Sequence, residues 1–142
     1  MRIGIAGVLL AWLAALSYYD IKQRRLPNLL TLPGAALVLL GAAVAGRGMP
    51  ALAGATALTG VYLLVHLVAP AAMGAGDVKL AVGLGGLTGC FGTEVWLLAA
   101  LVAPLLTAVM GVVGLWRGMR TVPHGPSMCV ATACTVGLAL SA

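Results

Sequence analysis

Gly74-Ala75-Gly76-Asp77-Val78-Lys79 is a short polar break between two apolar runs, 51–73 before it and 80–92 after it. It carries one of only two aspartates in a chain of 142 residues. The other, Asp20, closes the first apolar run, 3–19, and the only remaining acid is Glu94. Apolar runs of this length, separated by brief polar turns, predict helices that satisfy their own backbone hydrogen bonds in lipid. The expected fold is all-α: a polytopic membrane helix bundle with about six transmembrane helices.

Composition points the same way. The chain is 62% hydrophobic and 8% charged, with a mean hydropathy of +1.12. Soluble domains carry about a quarter charged residues, so this chain cannot cover a water-facing surface, and the lipid bilayer is its expected main solvent. The net charge of +5 does not indicate nucleic acid. Its basic residues are spread over turns, without a dense patch or interleaved aromatics. Cys90, Cys129 and Cys134 lie in apolar runs and form no C-x-x-C pair. They read as small packing residues rather than a metal site or a disulfide framework.

The runs in order are 3–19, 29–46, 51–73, 80–92, 95–116 and 127–141. Arg2 and the run after it resemble a signal peptide, but the further runs favour a retained signal anchor. Tyr18-Tyr19 suits a membrane interface. Pro27 disfavours helix at Leu26 and can begin the next one. Arg47-Gly48-Met49-Pro50 reads as a tight turn. The run 80–92 is short, with Gly83, Gly85, Gly86, Gly89 and Gly92. Glycines let helix backbones approach closely, so this run is expected inside the bundle. No repeat, long linker or soluble domain is visible, and residues 1–142 read as a single membrane domain. With six spans, one side holds Lys22, Arg24, Arg25, Lys79, Arg117 and Arg120, and the other Arg2 and Arg47. The excess places the first group, and both aspartates, at the cytoplasmic face.

Taken singly, each aspartate has a plain reading. Asp77 fits the N-cap of a helix starting at Val78, with Gly74 and Gly76 as turn residues. Asp20 fits an interfacial charge balancing Lys22 and Arg24. Together they sit at the same-side ends of their spans, where a bundle can join them. Two carboxylates in contact share one proton, so one serves as base and the other as acid. Such a pair can activate water against a peptide carbonyl. It can also relay ions in a small proton-coupled transporter, and a catalytically idle assembly scaffold is a third reading.

Asp20-Ile-Lys-Gln-Arg-Arg-Leu-Pro-Asn28 followed by Gly74-Ala-Gly-Asp-Val-Lys-Leu80 closely resembles the type IV prepilin peptidases, membrane aspartic peptidases of the G-x-G-D class. Pro123-His-Gly-Pro126 is loosely similar to a proline-glycine element late in that family. The resemblance implies that Asp20 and Asp77 are the catalytic pair. It implies a prepilin or pseudopilin substrate, with a basic leader removed at the cytoplasmic face of the inner membrane, and pilus-assembly proteins as possible partners. The larger bifunctional members carry a cytosolic methylating region with paired cysteines. This chain has neither, and so looks like the short peptidase-only form of Flp or Tad-type pili, without S-adenosylmethionine. Presenilin and the signal-peptide peptidases share the tyrosine-aspartate and G-x-G-D pair, but are longer with more spans.

Other residues are expected to shape the site. Gly74 and Gly76 would let the chain bend toward the pair, and an alanine at Gly76 would fail if its φ is positive. Pro27 and Asn28 flank the site, with Asn28 a possible hydrogen-bond partner. Lys79, two residues beyond Asp77, points to the other helix face and reads as an interfacial anchor. His66 reads as a packed core residue and His124 as loop-exposed. The substrate helix is expected against the run 80–92. Helix-end dipoles favour charge on Asp77 and the proton on Asp20. Aspartic chemistry uses water directly, so neither metal nor cofactor is expected.

Overall fold

The computed structural model describes residues 2–142, and all their regular structure is helical. The order is α1 (Arg2–Gln23), α2 (Asn28–Val44), α3 (Gly48–Val68), α4 (Ala75–Gly89), α5 (Thr93–Trp116) and α6 (Gly125–Ser141). Three segments, Gly4–Gln23, Gly48–Val68 and Thr93–Trp116, are long and apolar enough to cross a membrane. Asn28–Val44 and Gly125–Ser141 are shorter apolar helices. At about 1.5 Å of rise per residue, the 15 residues of α4 reach less far than a hydrocarbon core of about 30 Å. The expected six helices are therefore present, and three have the full length of a crossing.

The helix ends follow from local chemistry. Arg24 takes a left-handed φ of 51° and stops α1. Pro27, extended at φ −66° and ψ 131°, caps the start of α2, since the proline ring excludes helix before it and presets helix after it. The α2–α3 turn is a Schellman motif. Gly46 has φ 73°, its N–H donates to Ala43 O, and the Arg47 N–H donates to Ala42 O at 2.7 Å. The same motif closes α5: Gly118 has φ 76°, and the Met119 N–H donates to Gly114 O at 2.8 Å. Both satisfy carbonyls that a helix end leaves bare, using the one residue type that enters this region without strain.

α4 is the hub of the bundle and packs on α2, α3, α5 and α6. Nearly all of it from Leu80 to Gly89 is buried. Its closest neighbour is α3, and glycine makes that approach possible. A Cβ on Gly85 would lie 2.5 Å from Gly54 O, and one on Gly89 would lie 2.6 Å from Pro50 O. Trp96 Nε1 donates to Gly54 O at 3.0 Å and pins α5 to the same seam. Leu16, Leu80, Leu84 and Met128 are buried around it.

The outer faces are apolar as well. Val44 is 91% exposed, and Leu29 and Trp116 are each 86% exposed. Surfaces of this kind fit lipid contact and not water. Arg47 donates to Cys90 O at 2.6 Å, tying the α2–α3 turn to the end of α4. At the opposite end Lys79 reaches Asn28, and Arg24 reaches Thr121. Both aspartates lie at this second end, with the 117–124 loop.

Several boundaries differ from expectation. α1 runs past Tyr19 to Gln23 and so carries Asp20 within its last turn. α3 ends at Val68, short of Pro70. The break before α4 lies at 69–74, and Asp77 belongs to the first turn of α4 rather than capping it, since Gly74 is the N-cap.

Candidate active site

Asp20 comes from the end of α1 and is 8% exposed. Its Oδ2 accepts the Gly125 N–H at 3.0 Å, from the start of α6. The approach is close: a Cβ on Gly125 would collide with Asp20 Oδ2 and lie 2.9 Å from its Cγ. The Arg24 guanidinium, one turn on, donates to Thr121 Oγ1 and, at 3.2 Å, to Thr121 O. That ties the end of α1 to the loop that delivers α6.

Asp77 comes from the start of α4, and its N–H donates to Gly74 O at 3.1 Å. It precedes the apolar run of that helix and is partly buried. Its carboxyl lies near enough to Asp20 to feel that residue's charge. Two residues 57 positions apart by their numbers therefore act on each other electrostatically.

Of the expected shaping residues, Gly74 is the helix N-cap, in extended backbone at φ −75° and ψ 152°. Gly76 lies in helix, and positive φ among the described glycines is confined to Gly46, Gly92 and Gly118. The expectation of a strained backbone at Gly76 is thus corrected. What faces it is Leu26, whose Cβ would lie 3.4 Å from an added Cβ. Lys79 Nζ donates to Asn28 Oδ1 at 3.0 Å on the exposed side of the site. With Pro27 at the cap of α2, this contact joins the starts of α2 and α4. His66 Nδ1 lies 2.7 Å from Met73 O, a hydrogen-bonded histidine at the end of α3.

One expectation does not hold. His124 is not loop-exposed; it is half-buried, and burial holds its imidazole below the usual 6.5. The run 80–92 is buried from Leu80 to Gly89 apart from Val82, and its end, Cys90 to Gly92, is partly open. A Cβ on Gly83 would meet Trp12 at 3.0 Å, and one on Gly86 would meet Leu39 at 3.0 Å. Substitutions at either glycine therefore test packing inside the chain.

Further polar side chains lie near the two aspartates. Tyr62, buried in α3, lies near enough to Asp77 to feel its charge. Its hydroxyl is 2.9 Å from His124 Nε2. His124 Nδ1 bonds Thr107 Oγ1 of α5. Cys129 of α6 lies near both aspartates. Sequence reasoning missed Tyr62, Thr107 and Gly125 as site neighbours. The available signal was Tyr62 itself, the only tyrosine outside the Tyr18-Tyr19 pair, together with the Pro123-His-Gly-Pro126 element. Among the described residues no three of His, Cys, Asp and Glu gather closely enough to hold a metal ion.

The chain was then compared with known proteins. Residues 7–141 match the type IV leader peptidase family, and the chain belongs to that family. Neither the curated proteins nor the solved structures gave a match.

Proposed function

We propose that this member of the type IV leader peptidase family is an aspartic endopeptidase that removes the leader of a type IV prepilin or pseudopilin. The observation that carries the reading is the meeting of Asp20 and Asp77 at one end of the bundle. The two carboxylates come from different helices and lie near enough for each to feel the other's charge. Such a pair keeps one proton between its members near neutral pH.

Hydrolysis then follows from the shared proton. The ionised carboxylate takes a proton from water, and the oxygen attacks the scissile carbonyl carbon. The protonated carboxyl gives its proton to the carbonyl oxygen, which yields a tetrahedral diol. The newly protonated carboxyl then gives its proton to the amide nitrogen while the other carboxylate takes one from a diol hydroxyl; the C–N bond breaks, the acid and amine products leave, and the pair is restored. Burial strengthens each of these transfers because little water competes.

In this reading the aspartate pair works at the cytoplasmic face of the inner membrane. Lys22 near the end of α1, Lys79 near the start of α4, and Arg24, Arg25, Arg117 and Arg120 in the connecting segments all lie at the end of the bundle that holds the aspartates, as expected for a cytoplasmic side. In this reading all six helices cross the bilayer, with the short α4 shielded by its neighbours. The chain acts as a peptidase alone, with no methylating step and no S-adenosylmethionine.

The test is co-expression with a type IV prepilin. Wild-type membranes are expected to convert it to a product shortened at its N-terminus by the leader, read by mass spectrometry. A proton-coupled transporter or an idle scaffold leaves the prepilin at full length, and that result overturns the proposal.

A further inference from the structure

By helix ends alone the charge of the pair would rest on Asp77, in the first turn of α4, and the proton on Asp20, in the last turn of α1. The structure brings a third helix end into the balance. Gly125 is the first residue of α6, so its N–H is one of the donors a helix start leaves free. That N–H donates to Asp20 Oδ2 at 3.0 Å. A carboxylate that accepts a backbone N–H at a helix start is favoured in its ionised form.

The amide is held in place from two other helices through its neighbour. The single hydroxyl proton of Thr107 goes to Ala103 O at 3.1 Å, so Thr107 Oγ1 accepts from His124 Nδ1–H. That fixes the tautomer, and His124 Nε2 accepts the Tyr62 hydroxyl proton at 2.9 Å. His124 is thus gripped by α3 on one side and α5 on the other, one residue before the amide that meets Asp20.

We propose that the His124-Gly125 turn is a positioning element of the aspartate pair: it holds the Gly125 amide on Asp20 Oδ2, so that the shared negative charge rests on Asp20 and the proton on Asp77. Asp20 is then the base that takes the proton from water, and Asp77 the acid. The inference rests on the aspartic reading above. The ionisable groups around the pair are Arg24 from the end of α1, Tyr62 from α3, Cys129 from α6 and His124 before it. Of the cations, Arg24 acts on Asp20 and favours charge there, while Lys79, on the exposed side of the site, is engaged with Asn28.

The experiment is the pH profile of prepilin cleavage by the purified full chain in detergent. Wild type is compared with Gly125→Ala, Thr107→Val and Thr107→Ser. Gly125→Ala displaces the amide from Asp20, and the acidic limb of kcat is expected to move to higher pH by about one unit. Thr107→Val keeps the shape but removes the acceptor for His124. It is expected to shift the same limb in the same direction by a smaller amount, with KM unchanged, while Thr107→Ser restores the wild-type limb. If Gly125→Ala fails to accumulate, the Thr107 pair decides alone. A limb that stays at the wild-type pH in Thr107→Val overturns the inference, as does one that shifts equally in Thr107→Ser. Asp20→Asn and Asp77→Asn run alongside: if either cleaves like wild type the aspartic reading itself fails, whereas two inactive variants with unmoved limbs refute only the role of the turn.

Discussion

The two ends of α4 are built on opposite principles. At its C-terminal end, Gly85 and Gly89 lie against Gly54 and Pro50 with no room for a side chain, and the fit is backbone against backbone. At its N-terminal end, Asp77 meets Asp20, and hydrogen bonds from loops and helix starts hold the surroundings: Gly125 on Asp20, Lys79 on Asn28, Arg24 on Thr121. In lipid there is little hydrophobic drive between helices, so close contact of small residues is what holds a bundle together. The glycine seam supplies that hold. The aspartate end can then keep two carboxylates in an environment that disfavours their charge, a cost in stability that functional sites commonly carry.

The sharpest way to break this contrast is to fill the seam. Gly85→Leu would drive a side chain into Gly54 O and into Leu58, whose Cβ already lies 2.8 Å from an added Cβ. Overpacking without escape is expected to cost on the order of 3 kcal/mol or more, read as a large drop in the thermal midpoint in detergent and in the amount of protein in the membrane. A midpoint near wild type would mean that α3 and α4 are not seated as described.

The aspartate end predicts the opposite sign. Two acids in one partly buried site compete for a single charge. Asp77→Asn leaves one acid in place of two and is expected to be at least as stable as wild type at pH 7, by up to about 1 kcal/mol. Melting curves of both proteins at pH 7 check it, and an Asn variant clearly less stable than wild type would contradict it.

Smaller effects sharpen the boundary between the two ends. Gly76 belongs to the aspartate end, has helical backbone, and faces only the flexible Leu26 side chain at 3.4 Å. Gly76→Ala is expected to change stability by less than about 1 kcal/mol, in contrast with Gly85 nine residues on. Smallest of all is Lys79→Met, which removes an exposed contact with Asn28. Its cleavage rate is expected to stay within about threefold of wild type. A larger loss would place Lys79 on the substrate.

These contrasts also mark what could be read in the residues alone. Helix number and order were legible because glycine, proline and arginine interrupt the apolar runs. Helix ends were less so. Ile21, Lys22 and Gln23 sustain helix beyond the apolar part of α1, and Ala75 starts α4 before the strongly apolar residues begin. Asp20 and Asp77 stood out because acids are so scarce in this chain. His124 did not, since its burial depends on Tyr62 and Thr107 arriving from two other helices. Nothing local in Pro123-His-Gly-Pro126 reports that. The Gly125 N–H on Asp20 was invisible for the same reason: the donor lies 105 residues away.

The central claim is that the two carboxylates form one catalytic unit. The most direct measurement is leader removal from a type IV prepilin by wild type, Asp20→Asn and Asp77→Asn at matched membrane levels. Each substitution keeps the shape and removes the acid–base function, and each is expected to lower the rate by at least about 100-fold while the protein remains folded. Cleavage within a few-fold of wild type by either variant would show that the pair is structural, and would contradict the account.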